Sequence, residues 1–406
     1  MTTTLVGGAS TQSRARRPLP EGIAEARTVV THGAVEHIEF RAADSNVWHG
    51  RDCITWVVGQ GGLLWGGPLF PNHVLGGFQD HDTARLFDVP GSYGHAAEHD
   101  LADALGAVYN PLFEGQPLGV RFWSNGSDAC SAAARIARAV TGREPIASYG
   151  YHGAHADYAH YPQYHGVPRT MVDLHRRFDW GDRKALRALA EASAALIVEV
   201  PPCPDEEARE FLDWVKLACN AYGALFVIDD VVMGFRAALG GSLERYGWQP
   251  DMVILGKAMS MIGNVSAVIG RERLVGRLAE DVFYSSTFGG HPMHMRIAAR
   301  TVDYLAAHDH MIYGPAGHLQ AIGAPLFHGL EEIFQRHGTP ARMVGQYERS
   351  VAVFEDEAVR RRWCGLMIGA GIVVDRPFFP TLAHTPEHVA ATLAAADAAC
   401  AALARA

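Results

Sequence analysis

Lysine is nearly absent from this chain: there are three in 406 residues, at positions 184, 216 and 257, so chemistry that needs a side-chain primary amine has three candidates. The six cysteines, Cys53, Cys130, Cys203, Cys219, Cys364 and Cys400, form no CxxC pair, which fits reduced thiols better than a disulfide framework or a zinc site. No apolar run approaches the roughly 20 residues that cross a bilayer, and Met1–Arg17 lacks the apolar core of a secretory signal. A cytoplasmic protein that meets no membrane is expected. The net charge of −9, with arginines scattered among acids, leaves no basic stripe to neutralise phosphates, so no nucleic-acid partner is expected. Neither GxGxxG nor GxxxxGK[ST] occurs, which removes the usual support for a nucleotide cofactor. His152 and His155 lie near Asp157, and a polar loop is a commoner use of such a group than a metal site, so no metal is expected.

What is present is an ordinary globular composition, 48% hydrophobic and 19% charged, without a repeat or a low-complexity tail. Residues 1–21, rich in Thr, Ser, Arg and Pro, have no apolar periodicity and read as a mobile arm, with order beginning near Gly22. Val47 to Val58 reads as a hairpin about His49-Gly50, followed by a glycine-rich loop. From about Glu98 to about Ala307 strand and helix signals alternate, the mark of an α/β fold with a mainly parallel central sheet. Candidate buried strands are Gly119–Phe122, Ala195–Val200, Ala224–Ile228, Met252–Leu255 and Ser266–Ile269, and amphipathic helices span Asp128–Val140 and Glu207–Tyr222. After a break near Gly314 the chain alternates again and ends in an Ala-rich helix, Pro386–Leu403. The expected domains are a large one, 86–308, and a smaller α+β one built from 22–85 and 309–406.

Three features carry chemistry. Lys257 ends the apolar run Met252-Val-Ile-Leu-Gly256 at a strand's carboxyl edge, where removal from water favours a neutral amine able to attack an aldehyde. A lysine that merely closes a strand would look the same. Phe226-Val-Ile-Asp229-Asp230-Val231 ends in adjacent carboxylates that strand alternation sends to opposite faces. One of them, Asp229, can pair with a protonated pyridine nitrogen, although such acids also cap a following helix or bind an arginine such as Arg236. Ser124-Asn125-Gly126-Ser127-Asp128 precedes a helix and offers N–H groups and hydroxyls to a single phosphate, in the residue types that an N-cap equally demands.

Together these residues resemble the class III aminotransferases of pyridoxal-phosphate fold type I, most closely the glutamate-1-semialdehyde aminomutase branch. The resemblance runs through most of the chain from about Val47. Its most specific stretch is Gly223-Ala-Leu-Phe-Val-Ile-Asp229-Asp230-Val231-Val-Met-Gly-Phe-Arg236, followed by Pro250-Asp-Met-Val-Ile-Leu-Gly-Lys257. It implies pyridoxal 5′-phosphate held as a Schiff base on Lys257, Asp229 at the pyridine nitrogen, Val231 on one ring face and Tyr151, from Gly150-Tyr-His-Gly153, on the other. It also assigns Asn125, Gly126 and Ser127 to the phosphate, places His152 and Glu199 in the cofactor pocket, and gives Thr287, in Ser285-Ser-Thr-Phe-Gly-Gly-His-Pro292, a reach to the phosphate of a neighbouring subunit. A homodimer follows from that last assignment.

Departures from the branch bear on substrate. Thr31–Phe40 is short and has no arginine where the family's carboxylate-binding arginine is expected, the segment after His152 is shorter than the family's gating loop, and residues are missing between Met343 and Arg376. Gln60 and Gly61 stand where Ser and Trp are usual, and Met259–Met261 replaces a glycine-rich run. Arg236 and Arg376 remain as partners for a substrate carboxylate, and each serves as well in a surface ion pair. The resemblance therefore implies transfer of an amino group from an amino donor to an aldehyde or ketone in a biosynthetic pathway. An aminomutase or epimerase on the same scaffold is the alternative, and a non-catalytic binding protein the further one.

Overall fold

A computed structural model describes residues 23–32, 35–42, 48–56, 94–160, 164–260, 264–374 and 377–405. The expected N-terminal arm, the glycine-rich loop after Val58, Gln60, Gly61 and Arg376 lie outside them. The described residues fall into two compact units, one from those within Met1–Gly59 and Leu319–Ala406, the other from those within Leu69–His318.

The second unit is a seven-stranded sheet. Its strands are β1 (Leu118–Trp123), β2 (Ile146–Tyr149), β3 (His175–Arg177), β4 (Ala195–Val198), β5 (Leu225–Asp229), β6 (Met252–Leu255) and β7 (Ser266–Arg271), in the order β1-β7-β6-β5-β4-β2-β3. The neighbours from β6 to β3 pair in parallel, and β7 alone runs against its two neighbours. β4, β5 and β6 are buried at every position, which is why they read as continuous apolar runs rather than alternating ones. All five expected strands form, but Gly119–Phe122, expected to be buried, is half-buried with Arg121 exposed, since its strand stands at the edge of the sheet. β2 and β3, short and mixed in polarity, gave no comparable signal.

A helix at Gly126–Thr141 packs its Ala129, Cys130, Ala132, Ala133, Ala134, Ile136 and Ala137 into the core that holds Ile197, Val227, Ile254 and Val268. So many alanines bring the helix axis close to the sheet, and each large aliphatic chain sealed there contributes about 1.5–3 kcal/mol. Two further helices, Arg183–Ala192 and Asp205–Tyr222, end beside one guanidinium. Arg143 donates to the carbonyls of Ala190 (2.9 Å), Ser193 (3.0 Å) and Tyr222 (2.6 Å), so one side chain satisfies carbonyls that both helix ends leave open.

In the first unit Ile23–His32, Val35–Ala42 and Trp48–Thr55 form an antiparallel meander, extended in parallel by Ile372–Val373. The hairpin expected about His49-Gly50 is not formed. Both residues lie inside one continuous strand, Trp48–Thr55, paired with Phe40 and Glu39; the reversals lie between the meander's strands, and His-Gly carries no turn chemistry strong enough to override strand pairing. Within the stretch Thr31–Phe40, His32 pairs with Val35. Trp56, Phe334, Trp363 and Phe378 fill this unit's core.

The last helix, Pro386–Ala404, begins with a capping box in which Thr385 accepts from the backbone of His388 and His388 Nδ1 accepts from the Thr385 N–H at 3.2 Å. Glutamate or glutamine commonly holds that place; a histidine there accepts only when Nδ1 is unprotonated. Burial lowers the His388 pKa and the adjacent Glu387 charge opposes that, with His384 packed edge-on at 6.0 Å. A histidine whose folded pKa lies below its unfolded one contributes stability that is complete above about pH 6.5 and is lost as pH falls through the folded value. Thermal unfolding should therefore show loss of stability from pH 7 to 5, and His388→Gln, which keeps an acceptor and does not titrate, should remove part of that slope. A His388→Gln curve that parallels the wild type contradicts the assignment.

Candidate active site

Because β1, β2, β4, β5 and β6 run in one direction, their carboxyl ends share one edge of the sheet, where open α/β sheets bind ligands. The candidate residues stand there in sequence order. Asn125, Gly126 and Ser127 follow β1, Tyr151 and His152 follow β2, Glu199 follows β4, Asp229 ends β5 with Val231 behind it, and Lys257 follows β6.

Asp229 is 4% exposed. Its Oδ2 lies 2.7 Å from His152 Nδ1 and 3.4 Å from Cys130 Sγ, and its Oδ1 accepts the Val231 N–H at 3.2 Å. His152 Nε2 faces the Tyr149 carbonyl at 3.0 Å, so both ring nitrogens face oxygen atoms. Tyr158 braces this arrangement: its hydroxyl donates to the Cys130 carbonyl at 2.6 Å and its ring tilts over His152 at 5.2 Å. Behind Tyr158, His175 Nε2 accepts from the Ser148 hydroxyl at 2.7 Å and its Nδ1 donates to the Ala159 carbonyl at 3.1 Å. Burial lowers its pKa to about 4, which keeps it neutral at physiological pH.

The neighbouring Asp230 does turn to the opposite side. Its carboxylate accepts from the Ser242 N–H (2.8 Å) and hydroxyl (2.6 Å), at the start of the helix Gly241–Tyr246. Thus one carboxylate of the pair caps a helix and the other faces the site. Arg236 is fully buried, which removes it from the surface ion pairs considered above.

His152, His155 and Asp157, grouped in sequence, separate in space. His152 turns to Asp229, His155 to Ser131 Oγ (3.0 Å) and Asp128 (3.5 Å), and Asp157 to Arg138 (2.6 Å). Among the described residues one trio of metal-ligating types does gather, Cys130, His152 and Asp229. Its His–Asp separation of 2.7 Å is that of a hydrogen bond; two ligands on one tetrahedral zinc stand about 3.3 Å apart.

The helix Gly126–Thr141 opens on Asn125, whose side chain accepts from the Asp128 N–H at 3.0 Å and donates to the Asp128 carboxylate at 2.8 Å. The Asn125 side chain is thereby engaged as the N-cap, while the amides of Gly126 and Ser127 belong to the helix's first turn, which lacks intrahelical acceptors. Ser127 Oγ accepts from the Ala154 N–H at 3.2 Å. The Ser124 hydroxyl beside them is buried without a hydrogen-bond partner. Glycines keep this edge open. A Cβ on Gly126 would stand 3.3 Å from Val231, and one on Gly150 2.6 Å from Glu199, whose Oε2 accepts the Tyr151 N–H at 3.1 Å.

Lys257 is half-buried and holds φ at +42°, a left-handed backbone that a non-glycine residue keeps only when its surroundings impose it. It opens a tight turn, with Met259 N–H donating to the Gly256 carbonyl at 3.0 Å. Its charge is close enough to oppose the rise in the Cys130 pKa, which burial and then Asp229 push well above the ordinary thiol value. Lys184 is exposed and Lys216 stands on the helix Asp205–Tyr222, away from the strand ends. Thr287 is exposed on a loop whose Gly289 lies against Phe122 and Trp123 at the end of β1. The fit to a phosphorylated pyridine aldehyde rests on this structure: an amine, a buried carboxylate with a neighbouring helix N-terminus, and a glycine-lined cradle between them.

Sequence reasoning missed Cys130, Tyr158 and Gly153. Gly153 holds φ at +97°, and a Cβ there would lie 2.3 Å from Ser127 Oγ and 2.7 Å from Ser127 Cα. Gly153→Ala should cost about 1–3 kcal/mol and lower the thermal midpoint by several degrees. Gly142→Ala, at φ +68° with nothing within 4 Å of its Cβ, should cost about 1 kcal/mol. Equal losses from the two substitutions would refute the close approach of Gly153 to the helix.

Residues 184–399, which include Asp229 and Lys257, match the family model of class III aminotransferases. The chain is 31% identical over 245 residues to a glutamate-1-semialdehyde 2,1-aminomutase of Methylacidiphilum infernorum, covering 54% of this chain and 55% of that protein. It is 30% identical over 278 residues to a 2′-deamino-2′-hydroxyneamine transaminase of Streptomyces kanamyceticus, covering 66% and 67%. The chain thus spans little more than half the length of the first relative and about two thirds of the second. Among solved structures, the FumI protein of Sphingopyxis sp. MTA144 in its PLP internal aldimine form superposes with a TM-score of 0.74 at 26% identity, covering 92% of this chain and 87% of that one. With more than half its residues inside the family model, the chain belongs to the class III aminotransferases.

Proposed function

We propose that this protein is a pyridoxal 5′-phosphate-dependent aminotransferase that moves an amino group from an amino donor to an aldehyde or ketone. One observation carries the reading: Lys257, Asp229 and the N-terminus of the helix Gly126–Thr141 converge on one edge of the sheet, with Asp229 buried and supplied with three donors. When bound, the cofactor supplies an electron sink for negative charge at the substrate carbon. The chain's residues do the rest. Lys257 Nζ would hold the cofactor and, once freed, would take the proton from the substrate carbon. Asp229, held by His152, keeps the ring nitrogen protonated. The Gly126 and Ser127 amides, after Asn125, hold the phosphate at a helix N-terminus. Val231 and Tyr151 take the two ring faces, and Glu199 fixes the Tyr151 backbone from β4.

Two chains complete the site in this reading. Thr287 is exposed between Phe283 (84% exposed) and Phe288 (61% exposed), and Tyr151 is 67% exposed. Aromatic rings left open beside a site suit burial against a second copy, so that Thr287 reaches the partner's phosphate in a homodimer. The large domain is 86–308, and 22–85 with 309–406 form the small one. A cytoplasmic, biosynthetic role is part of the proposal, and a relative named as a 2′-deamino-2′-hydroxyneamine transaminase supports amination of a carbonyl; no described helix is long and apolar enough to cross a membrane.

The isomerising alternative has its own support in the aminomutase relative, and an assay separates the two. A single amino donor supplied without an acceptor should yield about one equivalent of carbonyl product per site and then stop until an acceptor is added, as double-displacement kinetics require. Lys257→Ala should lower the rate by about 10⁴-fold. Continuous isomer formation without an acceptor would establish the aminomutase or epimerase instead, and undiminished turnover by Lys257→Ala would overturn the role of that lysine.

A further inference from the structure

Asp229 Oδ2 has two side-chain donors, and only one of them, His152, belongs to the carbonyl-edge loop that also carries Tyr151. The other is the thiol of Cys130, on the second turn of the helix Gly126–Thr141, whose first turn the proposed function assigns to the phosphate. We infer that Cys130 is a positioning residue: its S–H, donated to Asp229, sets how strongly that carboxylate holds the proton on the cofactor's ring nitrogen. The inference rests on the reading of Asp229 as the ring-nitrogen partner.

The geometry leaves Cys130 little else to do. It is 1% exposed, and its Sγ lies 3.4 Å from Oδ2. A carboxylate offers about four lone-pair sites; His152 and Cys130 occupy those of Oδ2 and the Val231 N–H one of Oδ1, so one acceptor direction remains for a ligand. Burial, and after it the Asp229 charge, push the thiol pKa well above the ordinary value. Cys130 therefore acts as a neutral donor and not as a thiolate, which at this distance would repel Asp229. Its own backbone is fixed from the other side, since the Cys130 carbonyl accepts from Tyr158, the residue that also packs on His152. The two donors to Oδ2 are thus coupled through one tyrosine.

A hydrogen bond to a carboxylate stabilises its charged form and lowers its basicity. Removing the thiol makes Asp229 more basic and strengthens its hold on a protonated ring nitrogen; a hydroxyl, a stronger donor, acts in the opposite sense. The test uses the full-length protein loaded with pyridoxal phosphate carrying ¹⁵N in the ring, and reads the ring-nitrogen chemical shift as pH is varied. Cys130→Ala should keep the nitrogen protonated to higher pH than the wild type, and Cys130→Ser should release the proton at lower pH. A change that followed packing alone would move both variants the same way. Shifts of both variants in one direction, or shifts identical to the wild type, overturn the inference while leaving the cofactor reading intact. Wild-type protein that takes up no labelled cofactor overturns that reading and the inference with it. If Cys130→Ala does not fold, Cys130→Ser still decides the point by the sign of its displacement.

Discussion

A carboxyl group buried in a protein interior has to be given hydrogen bonds, because a buried polar group left without partners costs several kcal/mol. Asp229 is in that position, and much of the second unit's local architecture answers to it. A strand with no exposed residue delivers it to the sheet edge. Its donors then come from three separate places: the backbone two residues on, a helix laid against the sheet, and the loop that leaves β2. Tyr158 ties the last two together. The alanine-rich face of the helix Gly126–Thr141 has a chemical consequence as well as a packing one, since the close approach it permits is what brings Cys130 within reach of Asp229.

The same closeness explains the glycines. Gly126, Gly150 and Gly153 stand where a methyl group would press on Val231, Glu199 or Ser127. Two of these neighbours, Val231 and Ser127, are themselves assigned to the cofactor. Lys257 takes the opposite course and accepts a left-handed backbone, so that a residue with a long side chain occupies a turn that glycine would adopt more easily. A strained residue at the mouth of a site, held by buried strands on both sides, is a reasonable place for an amine that must be presented in one direction.

Much of the fold could be read from the chain because buried strands are written as apolar runs: β4, β5 and β6 pair in parallel and β7 antiparallel, all buried along the run, whereas β1 is half-buried with Arg121 exposed. β2 and β3 escaped because Ile146–Tyr149 and His175–Arg177 are short and partly polar. The supposed hairpin at His49-Gly50 failed for a related reason: a histidine and a glycine inside an apolar stretch punctuate it without specifying a turn, and pairing with Val35–Ala42 decided the outcome. At the site, Asp229 and Asp230 separated as strand alternation requires. Cys130 and Tyr158 were illegible, since a cysteine in a run of alanines and a tyrosine in a histidine-rich loop acquire meaning only when the helix and the loop meet over Asp229. The sequence cluster of His152, His155 and Asp157, read as a polar loop, turns its three side chains to three different partners.

The scarcity of lysine makes the central claim, that Lys257 is the residue joined to the cofactor, directly measurable. Protein incubated with pyridoxal phosphate, reduced with borohydride and digested should carry the cofactor's added mass on the peptide containing Lys257, with Lys184 and Lys216 unmodified. Label on either of the other two lysines, or on none, would contradict the account.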